Sequence, residues 1–178
     1  AHAKQEIDVG GPWPDPVQRG QHVVRFIGRR VFRNYDLAEL AACDIVYVMV
    51  STWDDVREVI AGPQGLLSGT QAPRMVVECS SISLEGSAEL RAMLGKHKIQ
   101  YLAAPVSGNA KVIKAGKLSS VVSGPEADAK IAMPLIEVFA PRGVSYVGDG
   151  ELARICKIAH NVMLGVVIEN LIEITLLA

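Results

Sequence analysis

The sequence predicts an α/β fold: a mostly parallel sheet with helices on both faces, ending in one long helix. Three observations carry this. The run D-I-V-Y-V-M-V, Asp44 to Val50, is continuous and rich in β-branched residues, as in strands covered on both sides. Short apolar strands alternate down the chain with helical stretches of about ten to fifteen residues, the rhythm of βαβ units. The stretch after Gly150 contains no proline, and Leu152, Ile155, Ala159, Val162, Met163, Val166 and Leu171 recur at helical spacing.

Taken in order, residues 1–21 form an irregular N-terminal segment, because Pro12, Pro14 and Pro16 crowd out helix and strand alike. Residues 22–150 form the main domain. His22 to Ile27 is its first strand, and Asp36 with Glu39 makes a capping-box-like start to a short helix. Strand Asp44 to Val50 is followed by Ser51 and Thr52, which cap W-D-D-V-R-E-V-I before Gly62-Pro63 ends it. Met75 to Glu78 is an apolar strand. Ser80, Ser81 and Ser83 then offer caps to a helix stopped by Gly95. Ile99 to Ala103 is a strand broken by Pro105, Asn109 to Ala115 a short helix, and Leu118 to Ser123 a strand. Glu126 to Phe139 is a helix that Pro134 should kink, and Val144 to Val147 is the last strand. Residues 151–178 form the long helix.

Composition bounds the function. The 178 residues are 49% hydrophobic and 21% charged with net charge −1, so one globular domain with a sizeable core is expected and a nucleic-acid partner is not. No Cys/His cluster predicts a metal. Cys43, Cys79 and Cys156 each sit in an apolar run and are expected as buried thiols of a reducing compartment. With no signal-like start, and with Glu169, Asn170 and Glu173 interrupting the last helix, the expectation is a cytoplasmic protein with no membrane segment.

On the long helix, Arg154, Lys157, His160 and Asn161 form a polar stripe that continues into Leu164, Gly165 and Ile168. A solvated face would stay polar, so this face should enter the interior and leave Lys157, His160 and Asn161 at the lip of a cleft. The competing explanation is an ordinary surface lysine. In open α/β sheets ligands sit at the carboxyl ends of the strands. Val50-Ser51, Ser80-Ser81 and Ala103 to Asn109 all fall there, although serines after strands also serve simply as helix caps.

The ordered series D-I-V-Y-V-M-V-S, E-C-S-S-I-S, A-P-V-S-G-N-A-K-V-I-K-A-G-K-L and V-G-D with K-I-A-H-N resembles the β-hydroxyacid dehydrogenases that include 3-hydroxyisobutyrate dehydrogenase. The resemblance covers roughly residues 22–178 and implies a Rossmann-like, NAD- or NADP-binding oxidoreductase acting on a small carboxylate. It implies Lys157 as general acid/base, and Ser107, Gly108, Asn109, His160 and Asn161 as substrate-binding residues. Val50, Ser51 and Ser81 would contact the cofactor. Arg29 and Arg30 stand where the family meets the adenine ribose, and an arginine fork suits the 2′-phosphate of NADP; the alternative is a pair of solvated loop arginines.

The departures are also plain. The family opens with a strand and G-x-G-x-x-G, where this chain has Gly10-Gly11-Pro12-Trp13-Pro14. Asn109 replaces a common glycine, and the family's helical second domain would follow Ala178. The expectation is a fragment, or a chain whose first βαβ unit is incomplete, with the long helix starting a missing helical domain. Two functions stand side by side: a hydroxyacid dehydrogenase, and a non-catalytic relative serving as a scaffold for dimerisation or regulation. Because apolar residues wrap most of the last helix, a homodimer or larger assembly is expected.

Overall fold

The computed structural model describes residues 24–27 and 37–178. Its elements run β1 (Val24–Ile27), α1 (Leu37–Leu40), β2 (Ile45–Val48), α2 (Trp53–Ala61), β3 (Met75–Glu78), α3 (Leu84–Lys96) and β4 (Gln100–Ala103). They continue with β5 (Val106–Ser107), α4 (Ala110–Lys114), β6 (Ser119–Val122), α5 (Glu126–Phe139), β7 (Gly143–Tyr146) and α6 (Leu152–Leu177). Arg29 and Arg30, the prolines of the first segment and Asp36 lie outside the described residues, as does the start of the first expected strand.

Strands β1, β2, β3 and β4 pair in that order, all parallel, with Ile45 opposite Met75 and Met75 opposite Gln100. The strand run is buried because both faces are covered. Side chains alternate across the pleat, so Val46, Val48 and Val76 face one cluster with Val56, Val59, Leu90 and Leu94 of α2 and α3. Ile45, Tyr47, Met75 and Val77 face the other, with Ala132, Leu135, Ile136 and Phe139 of α5. The Phe139 ring stands edge-on to Tyr47 at 5.8 Å.

The sense of the chain flips after β4. Ala103 and Ser123 exchange backbone hydrogen bonds of 3.0 and 2.9 Å in an antiparallel bridge, β5 pairs antiparallel with β6, and β6 pairs parallel with β7. The parallel expectation therefore holds for β1–β4 and for β6 with β7, and these two groups run in opposite senses. Gly124 makes the junction possible: at φ +137° a Cβ there would lie 2.6 Å from Leu102 Cδ2. Helix α5 is continuous through Pro134 over its 14 residues.

Two expectations are corrected. Cys43 and Cys79 are buried, but Cys156 is exposed, because it lies at the open cleft on a helix whose buried residues are confined to Ala153 and Arg154. The apolar side chains of α6 are exposed rather than buried: Val162 is 61% and Leu177 88% accessible. By length and composition alone α6 would also be long and apolar enough to cross a membrane.

Candidate active site

The carboxyl ends of β2, β3 and β4 meet along one edge. After β2, the buried Val50 donates its N–H to Ser80 Oγ at 2.8 Å, which ties the turn after β2 to the turn after β3. Ser51 and Ser81 are exposed beside this bond. Thr52 is the cap of α2: its hydroxyl accepts from Asp55 N at 3.1 Å while Asp55 Oδ2 accepts from Thr52 N at 2.9 Å. The edge thus offers small hydroxyl side chains and two helix starts, with the Trp53 ring packed against Gly86 in the first turn of α3. Helix starts and small side chains at the carboxyl ends of parallel strands are where such sheets bind ligands.

Beyond β4 the chain turns at the buried Pro105 into the Ser107-Gly108-Asn109 loop. Gly108 has φ +151°, and a Cβ there would meet Val112 Cγ1 at 2.6 Å, so the position requires glycine. Asn109 caps α4, its Oδ1 accepting from Lys111 N at 3.0 Å and Val112 N at 3.1 Å. Its side-chain oxygen is therefore committed to the helix. Its side-chain nitrogen and its backbone remain for other contacts.

Lys157 faces this loop. Its Nζ donates to Ser107 Oγ at 3.3 Å across a cleft of about 310 Å³. Ser107, Ser119, Arg142, Cys156, Lys157 and His160 are among the residues that line it. Among the described residues no carboxylate does so, which makes the cleft suited to an anion. Burial lowers the Lys157 ammonium below its ordinary pKa. Among the expected site residues, Ser107, Lys157 and His160 come together in the cleft, with Gly108 and Asn109 following in the loop. Asn161 is exposed and does not line it, while Val50, Ser51 and Ser81 occupy the separate edge at β2 and β3.

The start of α6 is held by residues the sequence did not single out. Arg154, counted in the polar stripe, is 1% exposed and pairs with Glu78, which is 0% exposed at the end of β3. The guanidinium also donates to the Ser80 carbonyl and, at 3.3 Å, to the Tyr101 hydroxyl, which shares a 2.7 Å hydrogen bond with Ser87. Burial pushes the Glu78 carboxyl up, and Arg154 opposes that rise. Nearby, Ser123 Oγ accepts from Ala153 N at 3.0 Å and donates to the Gly150 carbonyl at 2.8 Å. Arg91 donates to Glu151 Oε1 at 2.9 Å and to the Gly150 carbonyl at 2.7 Å. The only advance signal was Glu78 itself, a lone acid closing an apolar strand, with an arginine on a helix elsewhere to meet it.

Residues 18–148 match the family model of the NAD-binding domain of 6-phosphogluconate dehydrogenase. Among curated proteins, the chain is 32% identical over 133 residues to 2-(hydroxymethyl)glutarate dehydrogenase of Eubacterium barkeri, covering 75% of this chain and 44% of that protein. Among solved structures, Mycobacterium tuberculosis 3-hydroxyisobutyrate dehydrogenase with L-serine superposes with TM-score 0.63 at 27% identity, covering 72% of this chain and 43% of the other. Psf3 in complex with NADP+ and 2-OPP gives TM-score 0.64 at 30% identity, covering 73% and 46%. The chain spans just under half the length of the curated relatives it matches. The matched family model stops before α6.

Proposed function

The chain belongs to the β-hydroxyacid dehydrogenases, of which it carries the NAD-binding domain, and from that membership we propose that it serves NAD- or NADP-dependent hydride transfer on a small β-hydroxy acid. When bound, the dinucleotide supplies or accepts the hydride. The chain's own residues do the rest. Val50, Ser51 and Ser81 are proposed to contact the cofactor, and Arg29 and Arg30 to favour the 2′-phosphate of NADP. The Ser107-Gly108-Asn109 loop presents backbone and hydroxyl donors to the substrate carboxylate, with His160 on the cleft side of α6. Lys157 exchanges a proton with the substrate hydroxyl.

The observation that carries this reading is the Lys157–Ser107 contact of 3.3 Å, in a cleft whose partial burial lowers the ammonium. A lowered lysine is easier to deprotonate near neutral pH, so both proton states become usable. The sign follows. As base, Lys157 must be neutral, so oxidation of the hydroxy acid rises with pH through its pKa; as acid it must be charged, so reduction falls with pH through the same value.

The test is Lys157→Met in the intact protein, which keeps length and helix propensity. Dinucleotide binding should be unchanged, and turnover should fall by roughly 10² to 10⁴. Near wild-type turnover would return Lys157 to the status of a surface lysine.

Assembly and location belong to the same reading. Glu169, Asn170 and Glu173 interrupt the apolar length of α6, and its start is bound into the sheet, so the proposed cover is protein rather than lipid: a homodimer or larger in the cytoplasm. Residues 151–178 are proposed to lead into a helical domain, in keeping with the greater length of the relatives.

A further inference from the structure

A buried ion pair is a weak source of stability, since desolvating two charges offsets most of their attraction; its best-supported use is to fix one arrangement among several. Arg154 and Glu78 form such a pair, at 1% and 0% exposure, and its location says what is being fixed. Glu78 ends β3, and its Oε1 accepts from Ser80 N at 2.7 Å. Ser80 in turn accepts from Val50 N through its hydroxyl and from Arg154 through its carbonyl. One guanidinium therefore holds the turn after β3 directly and, through Ser80, the turn after β2, while its own backbone lies one helical turn before Lys157.

We propose that Arg154 is a positioning residue: it locks the register of α6 against the turns at the ends of β2 and β3, and so sets the reach of Lys157 to Ser107. The proposal rests on the reading of Lys157 given above. An apolar contact at the start of α6 would resist separation but not sliding. In an α-helix a one-residue slip advances the side chains by about 1.5 Å and turns them by about 100°, enough to take Lys157 out of the cleft. A planar fork with fixed donor directions, meeting one carboxylate, a carbonyl and the Tyr101 hydroxyl, admits one register. Ser123 and Arg91 hold the turn before α6, but they bind its backbone and Glu151, upstream of the side chain that must be aimed.

Arg154→Lys tests this, because it keeps the buried charge and removes the fork. The decisive readout is the titration of Lys157, followed by NMR on reductively methylated lysines and assigned by comparison with Lys157→Met. The other titratable groups facing the cleft are Arg142, just before β7, and Cys156 and His160 on α6. All remain in the variant. With the register loosened, Lys157 gains water, and its titration should move up by about half a pH unit or more. The kcat of the intact protein should fall by roughly tenfold to a hundredfold, as an ångström of misplacement does elsewhere, with dinucleotide Kd within about threefold. Should Arg154→Lys fail to fold, Tyr101→Phe removes a single acceptor from the fork and should move the same titration in the same direction. A titration that stays put or moves down in the folded variant overturns the proposal, whatever happens to melting temperature or turnover. Full turnover in Lys157→Met would instead overturn the catalytic reading, and the titration would still decide whether Arg154 aims the side chain.

Discussion

Strand β3 and the outer part of α6 are built from the same kinds of residue and end in opposite surroundings. Met75, Val76 and Val77 are 0% exposed, whereas Val166, Val167 and Ile168 are 54%, 47% and 49% exposed. The strand is covered because two helical layers converge on a sheet that presents alternate side chains to each. The helix is covered on one side only, at Ala153 and Arg154, and then leaves the domain. Apolar sequence thus states a need for burial without naming what meets it. In β3 the chain meets it locally, and in α6 the described residues leave it unmet.

The largest expected effect lies on the strand. Val77→Asp would place a carboxylate among Ile45-facing and α5-facing side chains with no cation beside it in the second core cluster. We expect a loss of about 4 kcal/mol or more, and no cooperative melt under conditions where the parent folds. A variant that melts near the parent temperature would mean that the face of β3 is wetter than its burial indicates.

The matching change on the helix should leave the fold intact. Valine and aspartate have similar helix propensities, so Val167→Asp should alter melting by no more than about 0.5 kcal/mol. Its effect belongs in assembly. If α6 is the surface of a homodimer, sedimentation should show the dissociation constant rising more than tenfold, or about 1.4 kcal/mol. A Val167→Asp variant that self-associates like the parent would move the interface away from this part of α6. One that unfolds like Val77→Asp would erase the contrast altogether.

The same contrast explains what could be read from the sequence. The strands around Asp44 to Val50 and Met75 to Glu78 were legible because an apolar β-branched run has few alternatives. The helix starts at Thr52, Ser83 and Asn109 were legible because capping is local chemistry. The reversed sense of β6 and β7 was not, since an apolar run is silent on which neighbour it pairs with. The Ser107–Lys157 contact was anticipated as a place and not as a distance. Arg154 was misjudged for a physical reason: helical spacing put it on one stripe with Lys157, and only the arrival of Glu78 from β3 makes burying it tolerable. The exposure of Cys156 follows from the same uncertainty over what covers α6.

The smallest effect tests the boundary between local and tertiary control of helix starts. Helix α2 begins with a complete capping box at Thr52 and Asp55, while α6 begins at Glu151 with no side-chain cap and relies on Ser123, Arg91 and Arg154. Thr52→Ala removes one hydroxyl acceptor and leaves Asp55 N to water. A loss of about 1 kcal/mol in denaturant unfolding is expected, with the slope unchanged because the surface exposed on unfolding is the same. Thr52 also follows Val50 and Ser51 directly, so the variant asks whether the turn after β2 is held by the cap or by Ser80. The 2.8 Å bond from Val50 N to Ser80 Oγ is independent of Thr52, and dinucleotide affinity should stay within about threefold of the parent. A larger loss of affinity at the same small loss of stability would make the cap, and not Ser80, the element that shapes the cofactor edge.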